Sequence, residues 1–164
     1  MSLVANAMVG ATILGLTGFI LAKEIQALER LNEAAKDVRL VGELSKATIE
    51  LSLERSLTQV ALNLDDPIAP AIDALLQRQR ANSGALFDGV REQLTRADHL
   101  ADQAALIERL DRYRGGIRDL RAAAAPLLAQ RIDARDATAR VEIPENLKTA
   151  VFQLDSLSMA MRGA

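Results

Sequence analysis

Apolar and polar positions recur along most of the chain at the three- and four-residue spacing of amphipathic helices. From residue 23 onward the sequence is rich in Ala, Leu, Glu, Arg and Gln, which favour helices, and has few aromatic or β-branched runs. Interruptions at Asp65-Asp66-Pro67, around residues 97–99 and at Pro144 divide this region. Pro126 predicts a kink in the third helix, or its end, at the turn before the proline. The predicted helices are 23–63, 67–96, 100–138 and 144–162. Because short turns join them, we expect an all-α, up-down antiparallel bundle of the four-helix type.

The N-terminal stretch differs from the rest because its first 22 residues contain no Lys, Arg, Asp or Glu. Residues 3–22 form a mostly apolar run, and a helix of that length spans about 30 Å, the thickness of a bilayer core. The pattern predicts a transmembrane helix at 3–22, followed by a helical domain at 23–164. A cleavable signal peptide is disfavoured because no basic residue precedes the run. A buried helix of a soluble core is disfavoured because it would usually carry some charge.

Composition narrows the function classes. The chain has 164 residues, a formal net charge of −2, no Cys and one His, so a disulfide scaffold, a thiolate metal site and a cysteine nucleophile are excluded. The near-neutral balance argues against a nucleic-acid partner. His99 has no second strong metal ligand near it, Asp65-Asp66 are explained as helix caps, and no serine has a nearby histidine base. We therefore expect no enzyme activity, no catalytic residues, no metal and no cofactor.

The first predicted helix has two apolar stripes on nearly opposite faces. One stripe contains Ile49, Leu53, Leu57, Val60 and Leu64, and the other contains Leu44, Thr48, Leu51, Arg55, Thr58 and Leu62. A helix that is apolar on two sides needs two packing partners. One stripe would serve the bundle core, and the other would face a second copy of the chain, so we expect a homodimer.

A polar layer interrupts the apolar spacing of the first two helices. Arg55 is flanked by Ser52 and Gln59 on its own helix, and the second helix places Gln79 and Ser83 at inward positions. If the intervening turn reverses the chain, Arg55 lies next to Gln79 and Arg78. An arginine with neutral hydroxyl and amide neighbours suits a small anion or polar ligand. The candidate ligand-binding residues are Ser52, Arg55, Gln59, Arg78 and Gln79. In the alternative interpretation, Arg55 pairs with Glu50 or Glu54 and the layer sets the register of the helices.

Two segments carry a family resemblance: LSLERSLTQVALNLDDP at the end of the first helix and LLQRQRANSGAL in the second. Within them, Glu54-Arg55-Ser56-Leu57 matches an ERG or ERS element, and Arg78 and Arg80 lie where an arginine-containing antiparallel helix would follow. Over about residues 23–96 the chain resembles the extracytoplasmic helical sensor region of bacterial transmembrane receptors. It is most similar to the nitrate- and nitrite-sensing type of chemoreceptors, sensor histidine kinases and cyclic-dinucleotide enzymes.

The resemblance implies a sensor domain at residues 23–164, in the periplasm or outside the cell, anchored in the inner membrane by residues 3–22. Receptors of this type add a second spanning helix and an output module, so we expect a chain that is incomplete at its C-terminus or works through a partner. We expect a signal-transduction module that binds a small anion or polar molecule and relays helix shifts across the membrane. The alternative is a membrane-anchored helical dimerisation module with no small-molecule ligand.

Overall fold

The protein is described by a computed structural model that covers the backbone of residues 2–100 and 102–162 and the side chains of residues 21–100 and 102–161. These residues form four α-helices and one short 3-10 helix, and contain no strand. The α-helices are α1 (Ser2–Leu62), α2 (Pro70–Thr95), α3 (Gln103–Leu128) and α4 (Ala137–Arg162), and the 3-10 helix is Ile132–Ala134. The prediction of an all-α chain with four long helices is confirmed.

The second helix begins three residues later than the sequence predicted. Pro70, not Pro67, occupies its first turn, and the preceding Ala69 has the extended backbone angles φ −65° and ψ 143°. A proline disfavours helical backbone at the residue before it, which agrees with the extended conformation of Ala69 and the start of α2 at Pro70. The turn between α2 and α3 lies close to the interruption predicted at residues 97–99.

The boundary between the third and fourth helices is also corrected, because α3 ends at Leu128 rather than 138 and α4 begins at Ala137 rather than at Pro144. Pro126 lies inside α3, which ends two residues later at Leu128, so the helix does not end at the turn before this proline. The start of α4 is capped by Asp136, whose Oδ1 accepts hydrogen bonds from the backbone N–H groups of Thr138 (2.8 Å) and Ala139 (3.2 Å). Pro144 lies inside α4.

The chain divides into two compact units, Met1–Val38 and Arg39–Ala164. In the first unit, the large apolar side chains that the structure describes are exposed: Leu21, Ile25, Leu28, Leu31 and Val38. None of the helices, over the residues described with side chains, is long and apolar enough to cross a membrane. The predicted span at residues 3–22 lies outside those residues, apart from its last two positions.

The second unit is a bundle whose packed helices run antiparallel. Asp88 and Arg91 of α2 pair with Arg114 and Asp111 of α3, in reverse order along the two helices. On the other side of the unit, the end of α1 contacts the segment just before α4, while Arg55 lies beside Glu145. Leucines dominate the fully buried core, among them Leu44, Leu51, Leu62, Leu76, Leu94, Leu110, Leu147 and Leu154.

The structure decides between the two apolar stripes of α1. The stripe that contains Leu44, Leu51 and Leu62 is buried in the bundle. Three residues of the opposite stripe are exposed in this single chain, namely Ile49, Leu53 and Val60, at 59%, 50% and 56% of their full accessibility. The other two, Leu57 and Leu64, are partly buried.

One buried arginine joins the connecting segments at the end of the bundle. The Arg135 guanidinium donates hydrogen bonds to the backbone carbonyls of Ala61, Leu62, Leu64, Asp66 and Gln130, at 2.6 to 3.1 Å. Two of these carbonyls belong to the last turn of α1, where a helix leaves acceptors unsatisfied. Arg135 therefore fixes the C-terminal end of α1 against the start of α4. This contact also sets the position of α1 along its axis, and so determines which residues of the other helices its polar side chains face.

Candidate functional site

The most unusual side chain in the bundle core is Glu54, a carboxylate that is completely buried. It lies on the core face of α1, three residues after Leu51 and four before Thr58, both of which are also buried. The sequence indicated Glu54 as an alternative partner of Arg55 rather than as a core residue. Its spacing from Leu51 and Thr58 is the signal that could have placed it in the core.

Arg121 of α3 is the strongest partner of Glu54. Its Nε lies 2.8 Å from Oε1 of Glu54, and its Nη2 lies 2.6 Å from Oε2, so the two groups form a fork of parallel hydrogen bonds. Such bidentate, charge-assisted pairs are the most stable form of the arginine–carboxylate contact. The pair links α1 to α3 across the core.

Arg80 of α2 approaches the same carboxylate with weaker geometry. Its Nε lies 3.4 Å from Oε1 of Glu54 and forms no hydrogen bond, and its side chain is only 12% exposed. Burial lowers the pKa of Arg80; the negative charge of Glu54 opposes this effect, and the positive charge of Arg121 adds to it. Removal of Arg80 from water is therefore not fully compensated by its contact with Glu54.

Ser83 completes the layer. Its Oγ accepts a hydrogen bond from Nη2 of Arg121 at 2.7 Å, and lies 3.1 Å from the carbonyl oxygen of Arg80 and 3.3 Å from Oε2 of Glu54. A hydroxyl has one proton, so it can satisfy only one of these two acceptors at a time. We call Glu54, Arg80, Ser83 and Arg121 the buried polar layer.

The charges of the buried polar layer do not cancel. One carboxylate faces two guanidinium groups, so the four residues of the layer have one excess positive charge, which Asp73 of α2 opposes through its effect on Arg80. Such an arrangement can attract and orient an anion. Across the described residues, no three His, Cys, Asp or Glu side chains are close enough together to hold a metal ion.

The five residues singled out from the sequence do not converge on one place. Arg55 turns toward α4, where its Nε donates to the carbonyl oxygen of Pro144 at 3.2 Å and its Nη2 lies 3.7 Å from Oε1 of Glu145. Nε2 of Gln79 instead donates hydrogen bonds to Glu50, to its backbone oxygen at 3.0 Å and to its carboxylate Oε2. The predicted contact between Arg55 and Gln79 is therefore not formed.

The other three predicted residues also lie apart. The Ser52 hydroxyl donates to the Thr48 carbonyl one turn earlier, at 2.8 Å, and Gln59 and Arg78 are exposed. The inward positions of Gln79 and Ser83 are confirmed, since both are buried. Successive helix residues point about 100° apart. Because Glu54 faces α2 and α3, the next residue, Arg55, faces a different neighbour.

Comparison of the chain with family models, with curated proteins and with solved structures found no match.

Proposed function

We propose that this chain is a ligand-sensing module of a bacterial membrane receptor, which binds a small anion or polar molecule in its helical bundle. The observation that carries the proposal is the excess positive charge of the buried polar layer, where Glu54 is shared between Arg80 and Arg121. An uncompensated buried charge is costly. An anion bound near the layer would lower this cost, and the bundle would then be more stable with ligand than without it.

The layer also suits a relay of structural change. Glu54 belongs to α1, its partners belong to α2 and α3, and the neighbouring Arg55 contacts α4. A ligand that competes for one of these arginines changes contacts between α1 and the other helices. Helix displacements of about 1–2 Å are typical of such switches. In the proposal, α1 transmits the displacement to a membrane segment at residues 3–22.

The proposal places residues 23–164 in the periplasm or outside the cell, and the output in a chemotaxis, kinase or cyclase module of the receptor. The candidate ligand contacts that the sequence indicated are Ser52, Arg55, Gln59, Arg78 and Gln79. They lie on α1 and α2, the two helices that carry Glu54 and Arg80. Of these, Arg55 retains 27% exposure of its side chain and can reach a solute from the surface.

Thermal unfolding of the full chain in detergent, with and without added anions, tests the proposal. The screen compares nitrate, nitrite and small carboxylates with chloride at the same ionic strength, and compares acetate with its uncharged isostere acetamide. We expect at least one anion to raise the melting temperature with the logarithm of its concentration above its Kd, which corresponds to about 2.7 kcal/mol of stabilisation at a hundredfold excess over the Kd. If no anion or polar solute gives a concentration-dependent shift beyond that of chloride, the sensing function is wrong.

The exposed stripe of α1 favours a second candidate function, a membrane-anchored helical module that forms a homodimer and has no small-molecule ligand. Ile49, Leu53 and Val60 are each at least half exposed and lie on one face of the helix. Light scattering gives the molecular mass of the wild type and of a Leu53→Gln, Val60→Gln double variant. This comparison distinguishes the dimerisation module from the sensing module. Loss of the dimer in the variant, together with no ligand response in the wild type, would favour this candidate.

A further inference from the structure

A cavity of about 410 Å³ lies between α2 and α3, beside the buried polar layer. Gly84 and Phe87 of α2 line it, together with Gly115, Ile117 and Arg121 of α3. Its volume falls in the range of small-molecule sites, about 300–1,000 Å³. Arg121 is the residue that the cavity shares with the layer.

Two of the residues that line the cavity are glycines, one on each helix. A Cβ atom added to either Gly84 or Gly115 would meet no heavy atom within 4 Å, so side chains at these positions would extend into open space. Larger side chains at either position would therefore narrow or fill the cavity.

Arg121 is the charged group that the cavity shares with the buried polar layer. The other ionic groups that line the cavity have partners of their own, since Arg114 pairs with Asp88, Asp111 with Arg91, and Arg118 with Asp119. Arg121 and Arg80 share the carboxylate of Glu54. In the Arg121 guanidinium, only Nε and Nη2 form hydrogen bonds to described residues. Its Nη1 therefore has donor capacity left for a further acceptor.

We infer that this cavity binds a small organic monocarboxylate, with the carboxylate on Nη1 of Arg121 and the apolar body against Phe87 and Ile117. The inference rests on the proposed function and names its site and ligand class. The single negative charge of such a ligand matches the excess charge of the buried polar layer. Because the ligand binds the guanidinium that holds Glu54, its binding changes the contact between α1 and α3.

Cavity-filling variants of the full chain test this inference without removal of any charge. Gly115→Leu and Gly84→Leu place a side chain in the cavity from opposite walls. Gly116→Leu is the matched control, because Gly116 is the adjacent, exposed glycine of the same helix and also has free space around it. The probe is benzoate, compared with uncharged benzamide and with chloride at equal ionic strength, and the measurement is the melting temperature as a function of probe concentration.

We expect benzoate to raise the melting temperature of the wild type and of Gly116→Leu with apparent Kd values within about twofold of each other, and benzamide to have no effect. In Gly115→Leu and Gly84→Leu the apparent Kd should rise by about tenfold or more. Arg55→Ala is measured alongside them, because Arg55 is a candidate ligand contact that does not line the cavity. Far-UV circular dichroism confirms that each variant is helical, and the use of two independent filling variants guards against a folding defect in one of them.

A wild-type benzoate response in both filling variants would overturn the inference. So would a wild type that responds to nitrate or another inorganic anion but not to benzoate; the proposed sensing function would then stand. Loss of the benzoate response in Arg55→Ala but not in Gly115→Leu would move the site to α1 and α4. Absence of a response to every anion would refute both the inference and the proposed function.

Discussion

Replacement of Glu54 by alanine removes the carboxylate that lies between the guanidinium groups of Arg80 and Arg121. Glu54 is fully buried, and Arg121 is bound to it through two short hydrogen bonds. After the substitution, two like charges remain close together in the core, and Asp73 is left as the acidic group that acts on Arg80. Removal of one partner from a buried ion pair typically costs about 3–5 kcal/mol. We expect a loss of this size in the free energy of unfolding for Glu54→Ala.

The two arginines should differ in their contribution. Arg80→Met leaves the bidentate Glu54–Arg121 pair intact and neutral, and it removes a guanidinium whose pKa is lowered mainly by burial. We expect its effect on stability to be within about 1 kcal/mol of zero, of either sign. Arg121→Met leaves Glu54 with only the weaker contact to Arg80 and the Ser83 hydroxyl, and should cost about 3 kcal/mol.

The lowered pKa of Arg80 has a defined consequence for pH dependence. The folded state binds this proton less tightly than the unfolded state, so the cost to stability is present below the folded-state pKa and is relieved only as the pH rises through that value. Arginine remains protonated near neutral pH. The difference between wild type and Arg80→Met should therefore stay constant when unfolding is measured across the neutral range.

Equilibrium unfolding in urea, followed by far-UV circular dichroism, measures this series, since urea does not screen charges as guanidinium chloride does. Glu108→Ala is the matched control, because Glu108 pairs with Arg112 on the surface of α3 and both side chains are exposed. Its cost should be below about 0.5 kcal/mol. The reasoning is refuted if Glu54→Ala costs no more than Glu108→Ala, or if Arg80→Met costs more than Arg121→Met.

The same urea assay checks three further changes. Arg135→Ala should cost about 3 kcal/mol, because it leaves the carbonyls of Ala61 and Leu62 without their donor. Arg135→Lys should recover only part of this loss. A cost below about 1 kcal/mol for Arg135→Ala would contradict the role of Arg135 in fixing the end of α1. Thr58→Val should increase stability by about 1 kcal/mol, since the buried Thr58 hydroxyl has no partner, and a decrease would be evidence against this. Asp136→Ala should remove the cap of α4 at a cost of about 1 kcal/mol, whereas an unchanged midpoint would mean that the cap contributes nothing.

Local chemistry in the sequence was sufficient to predict the helices themselves. The three- and four-residue spacing of apolar positions, the helix-favouring composition and the turn residues predicted four long helices, all of which the structure contains. The same spacing predicted that Gln79 and Ser83 face inward, and both are buried. These features depend on neighbours within a turn or two of the chain, which is the range that periodicity and capping rules cover.

The partners of these helices were decided only by the tertiary structure. Both faces of α1 are apolar, so periodicity alone could not tell that Leu51 would be buried and Leu53 exposed. The connection between α3 and α4 is held by backbone contacts to the distant segment after α1, including the bond from the Ile132 N–H to the Asp65 carbonyl, and local propensity does not register such contacts. The partner of Glu54 is Arg121, 67 residues later, whereas Arg55 faces α4. A rotation of about 100° between adjacent helix positions assigns these two residues to different neighbours, and only the packing of the bundle determines which neighbours those are.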